Sequence, residues 1–289
     1  MAHLNQLRTQ NISGDFYVDT TCIDCDTCRW MAPQVFDRQD EMSAVYHQPT
    51  NETERLAALQ ALLSCPTNSI GTKETPKDVK SVQQTLPILV ADNVYHCGFH
   101  AETSYGAASY FVQIPNGNIL IDSPKFVPPL VKRLESLGGI RYMYLTHRDD
   151  VADHQKFADH FGCQRILHQD DISAGTSNVE IQLTGSEPYK LTPELLIIPV
   201  PGHTKGHTVL LYENKFLFSG DHLAWSDKLK QLVAFRDHCW YSWSEQLKSM
   251  HKLANYSFEW VLPGHKRRFH ANTQTMGQQM EKCLEWMSR

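Results

Sequence analysis

Residues 146–154 read Thr-His-Arg-Asp-Asp-Val-Ala-Asp-His, which puts two histidines and three aspartates into the eight residues from His147 on. Imidazole nitrogens and carboxylate oxygens are donors for borderline and hard metal ions. Further along, Pro201-Gly202-His203-Thr204-Lys205-Gly206-His207, Ser219-Gly220-Asp221-His222 and Pro263-Gly264-His265 offer more such donors beside glycine turns. Glycine lets the backbone turn sharply, so that a neighbouring side chain points inward. A second donor group is of another kind. Cys22, Cys25 and Cys28 form a C-x2-C-x2-C run, and Cys65-Pro66 follows much later. Thiolates so spaced wrap one object, a zinc ion or a cubane iron–sulfur cluster, and each wants four ligands. Zinc knots favour two pairs of ligands over three plus one, so a [4Fe-4S] cluster is the better fit.

The elements that position these groups can be read from periodicity. Residues 142–145 form a short apolar run, expected as a buried strand, and residues 151–161 have helical spacing. The His/Asp stretch therefore sits where a strand gives way to a helix. Short strands are expected at 88–90, 94–96, 109–114 and 118–121, with an Asn-Gly hairpin at 115–118. A helix over 126–137 ends at Gly138-Gly139. Strands follow at 165–168, 195–200, 208–212, 215–218 and 260–262, and helices at 245–253 and 273–286. Two groups of strands with helices outside each predict an α/β fold, a four-layer αββα sandwich over 87–289. Ahead of it come a polar arm (1–14), a small α+β cysteine domain (15–71) and a polar linker (72–86) with no apolar period.

Composition narrows the function classes. The chain has 289 residues, 41% hydrophobic and 20% charged, with a formal net charge of -5. That length suggests one large domain or two, and the charge argues against a nucleic-acid partner, which calls for a basic face. No apolar run approaches membrane-spanning length, and residues 1–15 lack a signal-peptide core. Of eight cysteines, four are in the metal-type pattern. Cys97, Cys163, Cys239 and Cys283 are expected as free thiols, and the cytosol as the compartment.

Two resemblances follow from these residues. The cysteine run and Cys65-Pro66, with Tyr17-Val18-Asp19 before, Ala32-Pro33-Gln34-Val35-Phe36 after the run and Pro66-Thr67-Asn68-Ser69-Ile70 at the end, resemble single-cluster bacterial ferredoxins over residues 15–71. The resemblance makes Cys22, Cys25, Cys28 and Cys65 the cluster ligands. It also makes Asp26 a departure, since such ferredoxins usually carry glycine there, and a nearby carboxylate is expected to lower the reduction potential. Asp122, Thr146-His147, the turn at 201–207, Ser219-Gly220-Asp221 and Pro263-Gly264-His265 together resemble the metallo-β-lactamase fold over roughly residues 87–270. This implies His147, Asp153, His154, His203, Asp221 and His265 as ligands of a dinuclear metal site, with Asp221 bridging. It further implies Asp122 as a residue that orients the ligands, and His207 and His222 as supporting groups.

The usual motif of that fold is His-x-His-x-Asp-His. Here Asp149 replaces the second histidine and Asp153-His154 come two residues late. In the preferred reading Asp149 is a direct ligand. In the other, Asp149 caps the following helix and Asp150, four residues before His154, reaches the metal. A mononuclear or dead site is a third outcome. Replacing imidazole by carboxylate resembles the diiron members of the fold and favours non-haem iron. A fused one-electron cluster suits an oxidoreductase acting on O2, nitric oxide or an organic substrate and fed by an electron donor protein or reductase. The alternative is a zinc hydrolase of thioesters, esters or lactones, resembling glyoxalase II, in which Asp149 or Asp153 manages a metal-bound water. A non-catalytic iron–sulfur sensor or scaffold is the remaining reading. His96, His100, Tyr105, Trp225, His238 and Trp240 are candidate mouth residues for a flat or apolar substrate, and Lys205, Arg267 and Arg268 for an anionic group. A homodimer is compatible with the sequence.

Overall fold

The computed structural model describes residues 2–289. Alternation along the strands explains the layers. Ile119 and Ile121 face one side and Leu120 the other; Phe216 and Phe218 likewise oppose Leu217. The first set packs between two sheets. One has seven strands in the order 181–183, 164–168, 142–144, 119–121, 110–112, 94–96, 88–91; the other has six, in the order 189–190, 195–199, 208–212, 216–220, 260–263, 269–270. Tyr110, Tyr144, Tyr212, Phe216 and Phe218 fill the space between them. On the outer face of the seven-stranded sheet, Phe111, Leu120 and Met143 meet helices Pro128–Ser136 and His154–Phe161 through Leu130, Leu134 and Phe157. On the outer face of the other, Val209, Leu211 and Val261 meet helices Trp243–Leu253 and Thr273–Met287 through Met250, Met276 and Met280. The order of layers is helix, sheet, sheet, helix.

Strand Tyr142–Tyr144 runs parallel to both neighbours, Ile119–Ile121 and Gln164–His168, and Phe216–Gly220 runs parallel to Trp260–Pro263. The donor-bearing loops leave the carboxyl ends of these parallel strands, so one end of the sandwich collects them.

The cysteine module has its own core, in which Phe16, Val18, Val35, Phe36, Val45, Leu59 and Ile70 surround Cys28 and Cys65. Two parts of the chain differ from the sequence expectation. The arm is tied down: the buried Arg8 donates to the carbonyls of Ser43 and Gln39, and the His3 amide donates to Asp19 Oδ2 at 2.8 Å. The linker contains helix Val79–Gln83, whose Val82 packs on the cysteine module while Leu86 packs on the sandwich. Both segments are polar on average, so apolar periodicity was silent; a few well-placed contacts order them.

The two bodies meet across buried polar groups. His96 Nε2 and His100 Nε2 are 2.7 Å apart, His100 Nδ1 lies 2.7 Å from the carbonyl oxygen of Gly106, and Trp30 of the cysteine module stacks edge-on against His96. Burial pushes His100 down to about 3, with Arg268 and Lys125 adding to the effect, and pushes His96 well below the ordinary imidazole range. In the unfolded chain both imidazoles titrate near about pH 6.5. Between there and about pH 3 the unfolded state binds more protons than the folded one. The contribution of these two histidines to stability is therefore flat above the window and falls as pH falls through it. Denaturant unfolding at about pH 7.5, 6 and 5 should show a dropping midpoint, with a shallower drop in His100→Gln.

Candidate metal centre and cysteine cavity

His147, Asp149 and Asp150 follow strand Tyr142–Tyr144, Asp221 follows Phe216–Gly220, and His265 follows Trp260–Pro263. His203 comes from the loop between strands Leu195–Pro199 and Thr208–Tyr212. Their atoms converge. Asp221 Oδ2 lies 3.9 Å from His147 Nε2, 3.7 Å from His203 Nε2 and 3.7 Å from His265 Nε2. Asp149 Oδ2 lies 3.8 Å from His147 Nε2 and 3.4 Å from His203 Nε2, and Asp150 Oδ1 lies 4.0 Å from His265 Nε2. These gaps are long for direct hydrogen bonds. They suit donors sharing an ion, since ligands about 2.0–2.2 Å from a metal stand roughly 3–4 Å from one another. His147, Asp149 and His203 form one group of donor atoms mutually within 4.8 Å; His147, Asp150 and Asp221 form a second. Asp221 touches both sets, as a bridging carboxylate would.

The donors fit a cation on a further ground. His147 Nε2, His203 Nε2, Asp150 Oδ2 and Asp221 Oδ1 are buried and make no hydrogen bond. Buried polar atoms are nearly always paired, so four orphans aimed at one point mark a place for an ion. Burial, followed by the negative charges of Asp221, Asp122 and Asp149, drives Asp150 well above the carboxylate range. Asp149 is held below its ordinary value by its contact with His203, which outweighs the opposing effect of burial. Burial alone would lower His203, but Asp149 and Asp221 outweigh it and raise it. Burial takes His147 down to about 4, so near neutral pH its Nε2 lone pair is free. The backbone is fitted as closely: a Cβ on Gly264 would lie 2.9 Å from Asp150 Oδ2 and 3.1 Å from Asp221 Oδ1.

Supporting residues set these orientations. Asp122 Oδ1 accepts from the Thr146 amide at 2.8 Å and from its hydroxyl at 3.0 Å, and Thr146 Oγ1 lies 2.9 Å from His147 Nδ1. That chain turns the other ring nitrogen of His147 toward the centre. His207 Nε2 accepts from the Asp221 amide at 3.2 Å and stacks on His147. His222 is buried behind it, with both ring nitrogens unpartnered.

The structure separates the residues of the central stretch. Asp149 and Asp150 both reach the donor set, so the two readings of that motif are not exclusive. Asp149 does not cap a helix, because the helix starts only at His154. Asp153 and His154 lie outside the set. Asp153 Oδ2 accepts from the Phe126 amide at 2.8 Å and its other oxygen pairs with Lys156 at 2.8 Å. His154 Nδ1 accepts from the buried Arg165 guanidinium at 3.1 Å. The reason is geometric: Asp149 and Asp150 leave directly from the strand end, and residues 151–153 are spent turning into the helix, which carries His154 away toward Arg165. Asp171 went unnoticed in the sequence. Buried, it accepts from the Arg148 amide at 3.1 Å, Thr204 Oγ1 at 2.5 Å and the Gly206 amide at 2.8 Å. It ties the Asp149 loop to the His203 loop, and nothing local in Gln169-Asp170-Asp171 signals that.

Of the candidate mouth residues, Tyr105 stands beside His265 with ring centroids 6.3 Å apart, and Trp240 beside His203 at 6.2 Å. His238 packs on Trp240. Trp225 stacks on Phe269, and His96 and His100 belong to the contact between the bodies. Lys205 pairs with Asp170, Arg267 with Asp26 and Asp227, and Arg268 lies over Trp30. Each of the three cations thus has a contact of its own in the folded chain.

In the cysteine module, Cys22, Cys25, Cys28 and Cys65 line one cavity together with Val18, Ile23 and Ser69. All four are free thiols, and the Ser69 amide donates to Cys65 Sγ at 3.2 Å. Burial raises Cys25 to about 11 and Cys28 well above the ordinary thiol range. Thiols so placed gain most from a bound cationic centre, which deprotonates them. Residues 18–72 match the family model of the 4Fe-4S single cluster domain of Ferredoxin I.

The two-sheet body is similar to solved structures that share its layer order. VMB-1 aligns with a TM-score of 0.53 at 19% identity, covering 70% of this chain and 96% of that one. FIM-1 from Pseudomonas aeruginosa, in a mono-zinc form, gives 0.53 at 17%, covering 69% and 94%. DIM-1 gives 0.53 at 16%, covering 68% and 95%. The sandwich has the metallo-β-lactamase fold. These metallo-β-lactamases span the sandwich, and the 4Fe-4S module stands apart as a second metal-type centre. No curated protein matches the chain by sequence.

The geometry separates neighbouring aspartates by role. Asp150→Asn should lower the metal content of the sandwich by at least half, whereas Asp153→Ala should leave it intact and cost about 1 kcal/mol of stability through the lost Phe126 contact. Elemental analysis paired with denaturant unfolding checks both.

Proposed function

We propose that the chain is a redox enzyme. In this reading a [4Fe-4S] cluster on Cys22, Cys25, Cys28 and Cys65 serves a non-haem iron pair held by His147, Asp149, Asp150, His203, Asp221 and His265. The observation that carries it is the composition of the donor set. Three carboxylates stand with three imidazoles around one point, and mixed carboxylate and imidazole sets suit iron. The cysteine module, tied through Asp26 to Arg267 two residues beyond His265, adds to it, since a one-electron centre serves redox turnover directly and hydrolysis does not consume electrons. When bound, the iron pair supplies binding and reduction or activation of O2 or nitric oxide, or oxidation of an organic substrate.

The protein's own groups do the rest. Asp221 holds both halves of the site at a fixed spacing. Asp122, through Thr146, fixes the ring of His147. Asp149, with 43% of its side chain exposed, faces the open side, where it can accept a proton from an incoming ligand. Tyr105 and Trp240 flank the entrance and exclude water from part of it. Electrons come from a donor protein or reductase that meets the cysteine module.

The exposed, ionised Asp149 also favours a second reading, a zinc hydrolase of thioesters, esters or lactones. A carboxylate there would orient or deprotonate a metal-bound water, and the cluster would regulate or dock.

Metal analysis of protein purified without oxygen decides between them. The redox reading expects about six iron and four labile sulfide per chain with little zinc. About four iron with one or two zinc would replace it with the hydrolase.

A further inference from the structure

Asp26 stands where the ferredoxin pattern leads one to expect glycine, and its φ is +71°. Aspartate takes up this conformation less readily than glycine, and here its carboxylate makes contacts that glycine could not. It accepts from Arg29 Nε at 2.6 Å and from Arg267 Nη1 at 2.8 Å. Two guanidiniums offset its charge, which removes the expected effect of a bare carboxylate on the cluster. Arg267 lies two residues beyond His265 and is itself anchored: Nε donates to Asp227 Oδ2 at 2.7 Å, and its carbonyl accepts from the Trp225 amide at 3.1 Å.

A second contact runs alongside. Tyr105 is 56% exposed, yet it is held at φ +48° with its hydroxyl donating to the Ile23 carbonyl of the cysteine loop. Its ring is the one beside His265. Gly106 follows at φ +81°; a Cβ there would lie 2.9 Å from Cys25 Cβ and 3.1 Å from Cys25 Sγ. Its carbonyl accepts from Thr27 Oγ1 at 3.4 Å. On the far side of the cavity, Lys125 Nζ donates to the Pro66 carbonyl at 2.6 Å. The sandwich thus closes over the cysteine cavity, and both main contacts end at or near His265.

We propose that Tyr105 and Gly106, clamped by the Asp26–Arg267 pair, form a fixed bridge from the cysteine cavity to His265, and that one electron crosses it within a single chain. The proposal rests on the redox reading above. With both groups bound, Cys22, Cys25, Cys28 and Cys65 would hold the one-electron donor and His265 the acceptor, so that one electron lost by the first would be gained by the second. A low-potential one-electron donor replaces the electron at the cluster, and no atom is transferred. Tyr105 acts as a positioning residue and as the medium between the centres; it is not itself oxidised. An electron tunnels faster across a short, fixed gap than across a wider one, and Tyr105, held at φ +48° against its local preference, keeps that gap fixed.

The test reduces the cluster anaerobically with a limiting amount of dithionite and follows its reoxidation by stopped-flow absorbance. Freeze-quenched EPR follows both centres. Wild-type reoxidation should be first order and independent of protein concentration. Tyr105→Ala, and separately Asp26→Gly with Arg267→Ala, should slow it about tenfold or more as the path is broken, at unchanged metal content and cluster spectrum. Tyr105→Phe, which keeps the ring, should stay within about threefold, as should Tyr189→Ala on a remote sheet edge. If a variant loses its cluster, Tyr105→Phe against Tyr105→Leu carries the comparison. Iron in the sandwich with a rate indifferent to Tyr105, or a rate rising with protein concentration, overturns the bridge alone. Zinc in the sandwich and a wild-type cluster that never passes its electron overturns the redox reading and the bridge with it.

Discussion

Three aspartates, Asp149, Asp150 and Asp221, are forced to share one point with His147, His203 and His265. Like charges so close, two of them buried, cannot all ionise without compensation. Arg148 comes within 3.8 Å of the exposed Asp149, but among the described residues the four buried atoms His147 Nε2, His203 Nε2, Asp150 Oδ2 and Asp221 Oδ1 are left unpaired. Buried unpaired groups cost stability, so the folded chain is committed to a cation. Other features of this end of the molecule serve that commitment: Asp122 and Thr146 orienting His147, His207 holding the backbone of Asp221, Asp171 linking two loops, and Gly264 leaving room for the carboxylates.

The sandwich makes such convergence affordable. Parallel strands deliver their loops to one end, while the apolar layers on both faces of each sheet set the strands rigidly. Donors far apart in sequence then arrive within a few ångströms without strain in the strands themselves. Asp122, Tyr105 and Asp26 are among the residues outside the strands that take up left-handed backbone.

The second centre is joined to the first by polar contacts more than by apolar ones. Asp26–Arg267, Lys125–Pro66 and Tyr105–Ile23 are directional, and they fix distance and orientation better than a greasy interface would. The redox reading proposed above calls for such fixed placement of its two centres. An untethered module on a flexible linker would not need it, and the ordered segment around Val82 and Leu86 points the same way.

The sequence alone determined the two metal-type centres, the four-layer fold and most of the donor set, because glycine turns, apolar alternation and cysteine spacing are local signals. His203, Asp221 and His265 were each marked by their own glycine turn, and His147 by the His/Asp stretch at a strand end. What the tertiary structure decided was how residues 149–154 are shared out. Periodicity ran the helix back to residue 151, but the strand end hands both Asp149 and Asp150 to the site, and the following turn takes Asp153 and His154 away. Asp171, the docked arm and the meaning of Asp26 were likewise invisible, since each depends on partners distant in the chain, up to 241 residues away for Asp26 and Arg267. Local pattern reports which face a side chain prefers; only the packed fold determines what it meets there.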